Sequence, residues 1–408
     1  MSSPILKYRY NFRWFALVTC LLTVGLSLIN GAPADVAGNP VGDVDVVHLP
    51  EGALVPDVIM DKSGVLHMVY GMGDNAWYVR SADNGRTFSP PVKVNTEGKV
   101  TLKMGERGPK LALGKGGSIH VVWADQWSPG VKVYPRYSRS LDGGQTFEPP
   151  RALASLYGID GLTVTADSEG SVIVFFHHVT PGQQLEVPFA HHLYLVRSTD
   201  NGATFGPEQR MKIKDMDVLA CSMCMMRARI TADGNVNLAL RVANDNIRDF
   251  FLMHSPKQEN TFVPLRINED RWKLMTCPMC GPELTLDPAG RMLCAFMSRH
   301  HVYWSLLEGG RFKLHVATPA QEKDEIYPVA FGNGKGQVLM VWQVGPMAVG
   351  RRATVKWALY NYDGLFTGKQ GTIGVSTSGT KATAFVGTDG VFHIVTTAKR
   401  NGKATHEE

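Results

Sequence analysis

The chain has 408 residues, only 19 % of them charged, with 42 glycines and 23 prolines. That balance suits many short strands joined by tight turns better than long surface helices, and closed all-β architectures often use such a length as one domain. The formal net charge is +5, of which Lys7, Arg9 and Arg13 contribute three in an acid-free stretch over 1–32, leaving +2 for the rest. So nearly neutral a body gives no electrostatic footprint for nucleic acid.

In chain order, the first element is an export signal. A basic start leads into an apolar run from Trp14 to Ile29, then the small residues Gly31, Ala32 and Ala34. Ala32-Pro33-Ala34 fits an A-x-A cleavage site, so residues 1–34 are expected to be a signal peptide and 35–408 a single mature domain. The alternative is an uncleaved anchor, for which the run is slightly short. Cys20 follows Leu-Val-Thr, a poor lipidation signal. The expected location is secreted or periplasmic, with no membrane association after cleavage.

A strand around Val44–His48 precedes a repeated unit that decides the fold. A proline or its replacement opens an alternating run, a glycine follows eight residues later, and a second alternating run follows that. The copies start at Pro56, Pro109, Leu162, Met226, Pro282, Pro328 and Ala382, with glycines at Gly64, Gly117, Gly170, Gly234, Gly290, Gly336 and Gly390. Each unit reads as a β-hairpin whose turn needs a positive φ, which glycine supplies without steric cost.

Between the hairpins lies a second motif, Ser81-Ala-Asp83-Asn-Gly85-Arg-Thr87-Phe88, repeated as Ser140 to Phe147 and Ser198 to Phe205. Its aspartates are 59 and 58 residues apart, and worn copies follow at Ser255 to Phe262 and Ser305 to Phe312. The aspartate can cap local N–H groups, the glycine takes the left-handed position and the ring packs beneath. The string resembles the Asp box (BNR repeat) of the sialidase, or neuraminidase, superfamily. That resemblance implies an all-β fold, a β-propeller of four-stranded blades, with the boxes acting as structural turns.

Seven copies over the 326 residues from Pro56 to Ala382 favour seven blades; six, as in true sialidases, is the alternative. The last hairpin lacks a ribbon of its own, so the Val44–His48 strand is expected to complete that blade and close the ring.

A propeller gathers the starts of its inner strands at one mouth of the central channel. Two residues before each anchor stand Leu54, Arg107, Asp160, Cys224, Cys280, Ile326 and Thr380; five before stand Glu51, Met104, Tyr157, Cys221, Cys277, Lys323 and Thr377. Loops after the second strands add Asp125, Trp127, His177, His178, Arg241 with Asp245, and Arg299-His300-His301. Asp boxes fall on the opposite face.

Cys221-Ser-Met-Cys224 and Cys277-Pro-Met-Cys280 occupy matching places in adjacent blades, so four sulfurs and the thioethers of Met223 and Met279 can converge. In an exported chain they read as disulfides, within each motif or across blades. The alternatives are a copper(I) or zinc site, which His177, His178, His300 or His301 could join, and redox activity. Neither motif is followed by histidine, so covalent haem is not supported. Cys294 reads as core, and His67, His120 and His393 as packing residues.

The family resemblance also implies a site. Sialidases grip a carboxylate with three arginines, attack with a tyrosine paired to a glutamate, and use an aspartate as acid/base. Carried over, this makes Arg107, Arg241 and Arg299 the substrate-binding candidates, Tyr327 beside Glu325 the nucleophile pair, and Asp160 the acid. The chain departs from the family at Gly52-Ala-Leu-Val-Pro56, where the first arginine would stand. The stretch from Cys221 through Ile247-Arg248-Asp249 to Cys280-Gly-Pro is similar to cysteine-containing members of the sialidase-like group. The expected function is glycan-directed, an exo-glycosidase or a carbohydrate-binding relative acting on an extracellular glycoconjugate. A copper- or zinc-binding propeller and a non-catalytic interaction scaffold are the alternatives.

Overall fold

The computed structural model describes residues 43–400 except 103–104, 127–131, 158, 179–186, 188, 257–258, 346–351, 377–380 and 398, with no side chains described at 314, 399 and 400. The expected signal peptide, residues 1–34, therefore lies outside the described residues. The strands form seven sheets in sequence order, antiparallel but for one parallel pair in each of two of them, a seven-bladed β-propeller. In blade 1 the chain runs outward through Ala53–Met60, Leu66–Met72, Asn75–Ser81 and Val92–Lys93. The inner strands of blades 2 to 7 are Lys110–Leu113, Asp160–Ala166, Arg227–Ile230, Glu283–Leu286, Glu325–Gly332 and Thr383–Val386.

Strand alternation explains the ring. Successive side chains leave opposite faces of a blade, so each blade feeds two cores. In the second strand of blade 3, Ile173 and Phe175 pack with Leu238 and Leu240 of blade 4, while Val172, Val174 and Phe176 pack with Val122 and Tyr137 of blade 2. Cores of this kind fill all seven seams, including blade 7 against blade 1 through Phe385, Val395, Val58 and Met68. Seven filled seams settle the choice against six blades. Cys294 is wholly buried in the seam of blades 4 and 5, a core residue as expected.

The ring is closed by the N-terminal strand. Val44–His48 pairs in parallel with Phe392–Thr396, Val44 opposite Phe392 and His48 opposite Thr396. This makes blade 7 a three-stranded sheet among the described residues. All seven repeat glycines carry positive φ, from 77° at Gly117 to 113° at Gly336.

The three S-x-D-x-G-x-T turns share one set of bonds. Ser81 Oγ donates to Asp83 Oδ1 (2.7 Å) and accepts from Gly85 N (2.9 Å), and Thr87 N and Oγ1 donate to the two oxygens of Asp83 (2.8 and 2.6 Å). Asp142 and Asp200 repeat this with Thr146 and Thr204. The carboxylates are consumed locally, and donated hydrogen bonds hold Asp142 and Asp200 well below the usual carboxylate range. The two worn copies lack the motif's aspartate. The one at Ser305 has become a tight Glu308–Arg311 hairpin through Gly309 and Gly310.

Candidate functional site

The inner strands converge on a throat closed by ions. In blades 1, 2, 4 and 5 the residue after the repeat anchor is charged, and these four, Asp57, Lys110, Arg227 and Glu283, come together. Arg227 reaches from blade 4 to Asp57 of blade 1 (2.6 Å) and Glu283 of blade 5 (2.5 and 3.1 Å), and Lys381 adds a bond to Glu283 (2.9 Å). All are buried. Burial works to raise Asp57 and Glu283, but Arg227, with Lys110 and Lys381 beside it, outweighs it and holds both below the ordinary carboxylate range. Burial pushes Lys110 down to about 8 against the pull of Asp57.

On the strand-start side of this throat lies the mouth. Arg107 and Asp160, from the entries to blades 2 and 3, form a two-bonded pair, one bond being Nε to Oδ1 at 2.9 Å. Asp160 also takes the Gly161 N–H (3.0 Å). Beside Arg107 is Glu106, which the sequence reading passed over. Its Oε1 accepts from Gly281 N (2.6 Å) and Met225 N (3.4 Å), while Oε2 is buried with no hydrogen-bond partner among the described residues. Burial raises the Glu106 carboxyl above its ordinary value, against the pull of Lys381.

Tyr327 closes the same space from blade 6. It is buried, has φ 52°, and its hydroxyl oxygen sits where a side chain on Gly105 would be, 2.0 Å from an ideal Cβ. Burial first, then the charge of Glu106, raises the Tyr327 phenol.

This corrects the expected Tyr327–Glu325 pair. The strand register shifts between Ile326 and Val329, and the left-handed Tyr327 breaks the alternation that would put residues 325 and 327 on one face. Glu325 points instead into blade 6's flank, accepting from Thr318 Oγ1 (2.5 Å), Val302 N (3.1 Å) and Glu322 N (3.1 Å). The tyrosine's carboxyl neighbour is Glu106. A bulge recurs at the same place in blades 1 and 3, at Val55 and Gly161.

The three arginines are not brought onto one partner. Arg241 is 1 % exposed and donates to the carbonyls of Cys280 (3.0 Å), Arg248 (2.8 Å) and Met297 (2.6 Å) over the Phe250 ring. Its guanidinium is a staple for the loops of blades 4 and 5, not a partner of Asp245. Arg299 sits in a left-handed turn with φ 51° and donates to Asp270 O (2.9 Å). Arg107 stands beside Glu106 and Asp160, while Arg241 acts on Cys221 and Cys280.

The cysteines divide three and one. Cys221 Sγ lies 3.2 Å and Cys224 Sγ 3.6 Å from Cys277 Sγ, and all are free thiols. Cys280 is turned into the seam of blades 5 and 6, its sulfur accepting from Tyr327 N (3.4 Å). Neither C-x-x-C closes on itself, and the four-sulfur cluster is a three-sulfur one. Met223 and Met279 pack against it. His177 Nε2 meets Cys224 O (3.3 Å), and its Nδ1 meets Nδ1 of His191 (3.0 Å), a second histidine the sequence reading missed. Burial depresses both rings. His300 and His301 face Asp324 and Glu325 instead. Met104, Trp127, Thr377 and Thr380 fall outside the described residues.

At the other end of the channel is a cavity of about 710 Å³, lined by inner-strand ends such as Ile59, Leu111, Val164 and Ile230 and by hairpin turns. The unpaired carboxyl oxygen, thiols and tyrosine all belong to the strand-start mouth, which is therefore the candidate site.

The chain matches no family model and no curated protein. Solved structures share its fold. An α-L-arabinofuranosidase of family GH93 from Fusarium graminearum, complexed with arabinobiose, is 14 % identical over 79 % of this chain and 98 % of its own, with a TM-score of 0.52. An α-L-arabinanase from Penicillium chrysogenum is 12 % identical over 78 % and 96 %, TM-score 0.51. A protein of unknown function from Dyadobacter fermentans is 16 % identical over 78 % and 97 %, TM-score 0.51. At such identities the likeness is one of scaffold, and function must be argued from the site.

Proposed function

We propose that this is an exported, sialidase-like propeller directed at glycans, with its site at the strand-start mouth. The observation that carries the reading is Glu106, a buried carboxyl with one oxygen unpaired among the described residues, next in sequence to Arg107 of the Arg107–Asp160 pair, and raised by burial above its ordinary value. Glycoside cleavage needs one carboxyl that holds its proton and one that does not. Glu106 supplies the first: its proton would pass to the glycosidic oxygen as that bond breaks. Asp160, bonded to Arg107, would supply the second and take a proton from the attacking water. An acidic sugar would reach Arg107 by displacing Asp160, since charge-assisted arginine–carboxylate bonds are interchangeable partners. The shared fold with an α-L-arabinofuranosidase and an α-L-arabinanase supports a glycan by analogy of scaffold.

The test is a panel of fluorogenic glycosides including a sialoside and an α-L-arabinofuranoside, with thermal-shift measurements using sugar acids. Turnover lost in Glu106→Gln and Asp160→Asn supports the enzyme. A thermal shift without turnover leaves a binding protein. Neither turnover nor shift removes the glycan reading. Secreted or periplasmic location is tested by sequencing the N-terminus of protein recovered outside the cytoplasm, where a start at Asp35 is expected.

A further inference from the structure

We infer that Cys221, Cys224 and Cys277 form a three-coordinate copper(I) centre at the mouth, between the entries to blades 4 and 5. The three sulfurs lie within 4.8 Å of one another and all three side chains are buried. They are held from independent elements. Cys221 belongs to a short strand paired with Ala190–His191, Cys224 N donates to Cys221 O (3.2 Å), and Cys277 accepts the Met279 N–H on its sulfur (3.4 Å). Met279 has φ 48°, which folds the Cys277 loop back over its own thiol.

The donor set selects the metal. Thiolates and thioethers favour copper(I), whereas a structural zinc site takes four ligands in a tetrahedron. Among the described residues the group holds three sulfurs and no nitrogen or oxygen ligand. The nearby His177 and His191 are engaged with each other and with Cys224 O. The apolar walls are Ala190, Ala243 and the methionines 223 and 279, which add two further soft donors. Binding one copper(I) ion replaces the thiol protons, up to three of which leave to solvent, with no change in oxidation state. The resulting negative charge is offset by Arg107, which acts on Cys277, and Arg241, which acts on Cys221.

The experiment titrates the reduced full chain anaerobically with copper(I) in the presence of bathocuproine disulfonate, and separately with zinc against a chromophoric chelator. One copper(I) retained per chain is expected, with an all-sulfur shell by X-ray absorption. Cys221→Ser, Cys224→Ser and Cys277→Ser should each weaken retention by more than the roughly 10- to 100-fold typical of losing an outer-shell partner. Cys280→Ser and Cys294→Ser, equally buried, should retain it and control for folding damage. Wild-type protein that yields all its copper to the chelator overturns the proposal, as does a preference for zinc. So does a Cys221–Cys277 disulfide found by alkylation and mass spectrometry of the native protein. The glycoside panel is read without added metal, so either proposal can fail while the other stands.

Discussion

Arg227 divides its guanidinium between carboxylates that belong to blades 1 and 5, so one side chain ties opposite parts of the ring together. Removing it leaves Asp57 and Glu283 buried with only Lys110 and Lys381 to offset them, a loss of up to about 3–5 kcal/mol. Arg227→Met should show that loss in chemical unfolding, and adding Asp57→Asn and Glu283→Gln should recover part of it. A full recovery by Asp57→Asn alone would mean that Glu283 does not share the charge. Both acids are lowered in the folded protein, so their stabilisation is present above the ordinary values of 3.8 and 4.5 and is lost as pH falls through the lower folded values. Glu106 runs the other way. Its folded value is raised above 4.5, so folding loses stability as pH rises from there until the folded value is passed. Glu106→Gln should therefore gain on the wild type as pH rises above 4.5, measured as unfolding free energy against pH. A difference flat in pH would show that Glu106 is ionised in the fold.

The turns show what kind of element a single sequence discloses. Each repeat glycine was predictable because a left-handed turn accepts little else, and each is left-handed. The packing above the turns was not predictable. Gly202 faces the Tyr137 hydroxyl of the preceding blade at 1.9 Å from an ideal Cβ, and that hydroxyl is bonded to His120 Nδ1 (2.7 Å). Gly144 faces the ring edge of Tyr78, Cε1 lying 2.0 Å from an ideal Cβ, with Tyr78 bonded to His67 (2.7 Å). Gly117 has φ 77° but open space around it. Gly117→Ala should cost only the left-handed penalty of about 1–2 kcal/mol, and Gly202→Ala about 1–3 kcal/mol more for overpacking. Urea unfolding of the two variants checks this, and equal losses would remove Tyr137 as the cause. The inner-strand bulges explain why the tyrosine's partner was misjudged. Alternation counted from the sequence puts residues 325 and 327 together, whereas one extra residue in the strand sets Tyr327 against Glu106. Pro328, directly after Tyr327, is a local mark of such a bulge, as Pro56 is after Val55, since proline inside a strand is confined to edges and bulges.

At the scale of the molecule, blade number and closure were legible because they depend on counting, while the throat depends on which side chains meet across the ring. Asp57 and Arg227 are 170 residues apart and meet only because seven blades bring them to one axis. Closure itself rests on five residues, with Val44 and Val47 buried in the seams on either side of blade 7. Deleting the chain through His48 should bare the edge of Phe392–Thr396 and both seams. Loss of amide protection concentrated in blades 6, 7 and 1, with association in size-exclusion chromatography, is the expected outcome; a monomer with unchanged protection would show that the strand is dispensable. The parallel pairing also sets an order in time. The strand synthesised first finds its partner last, after roughly 350 further residues have been made. At about 5–20 residues per second that is a wait on the order of 20–70 s. Through that interval a nascent chain carries an unsatisfied strand, and any helper that shields it needs to recognise only the segment around Val44–His48.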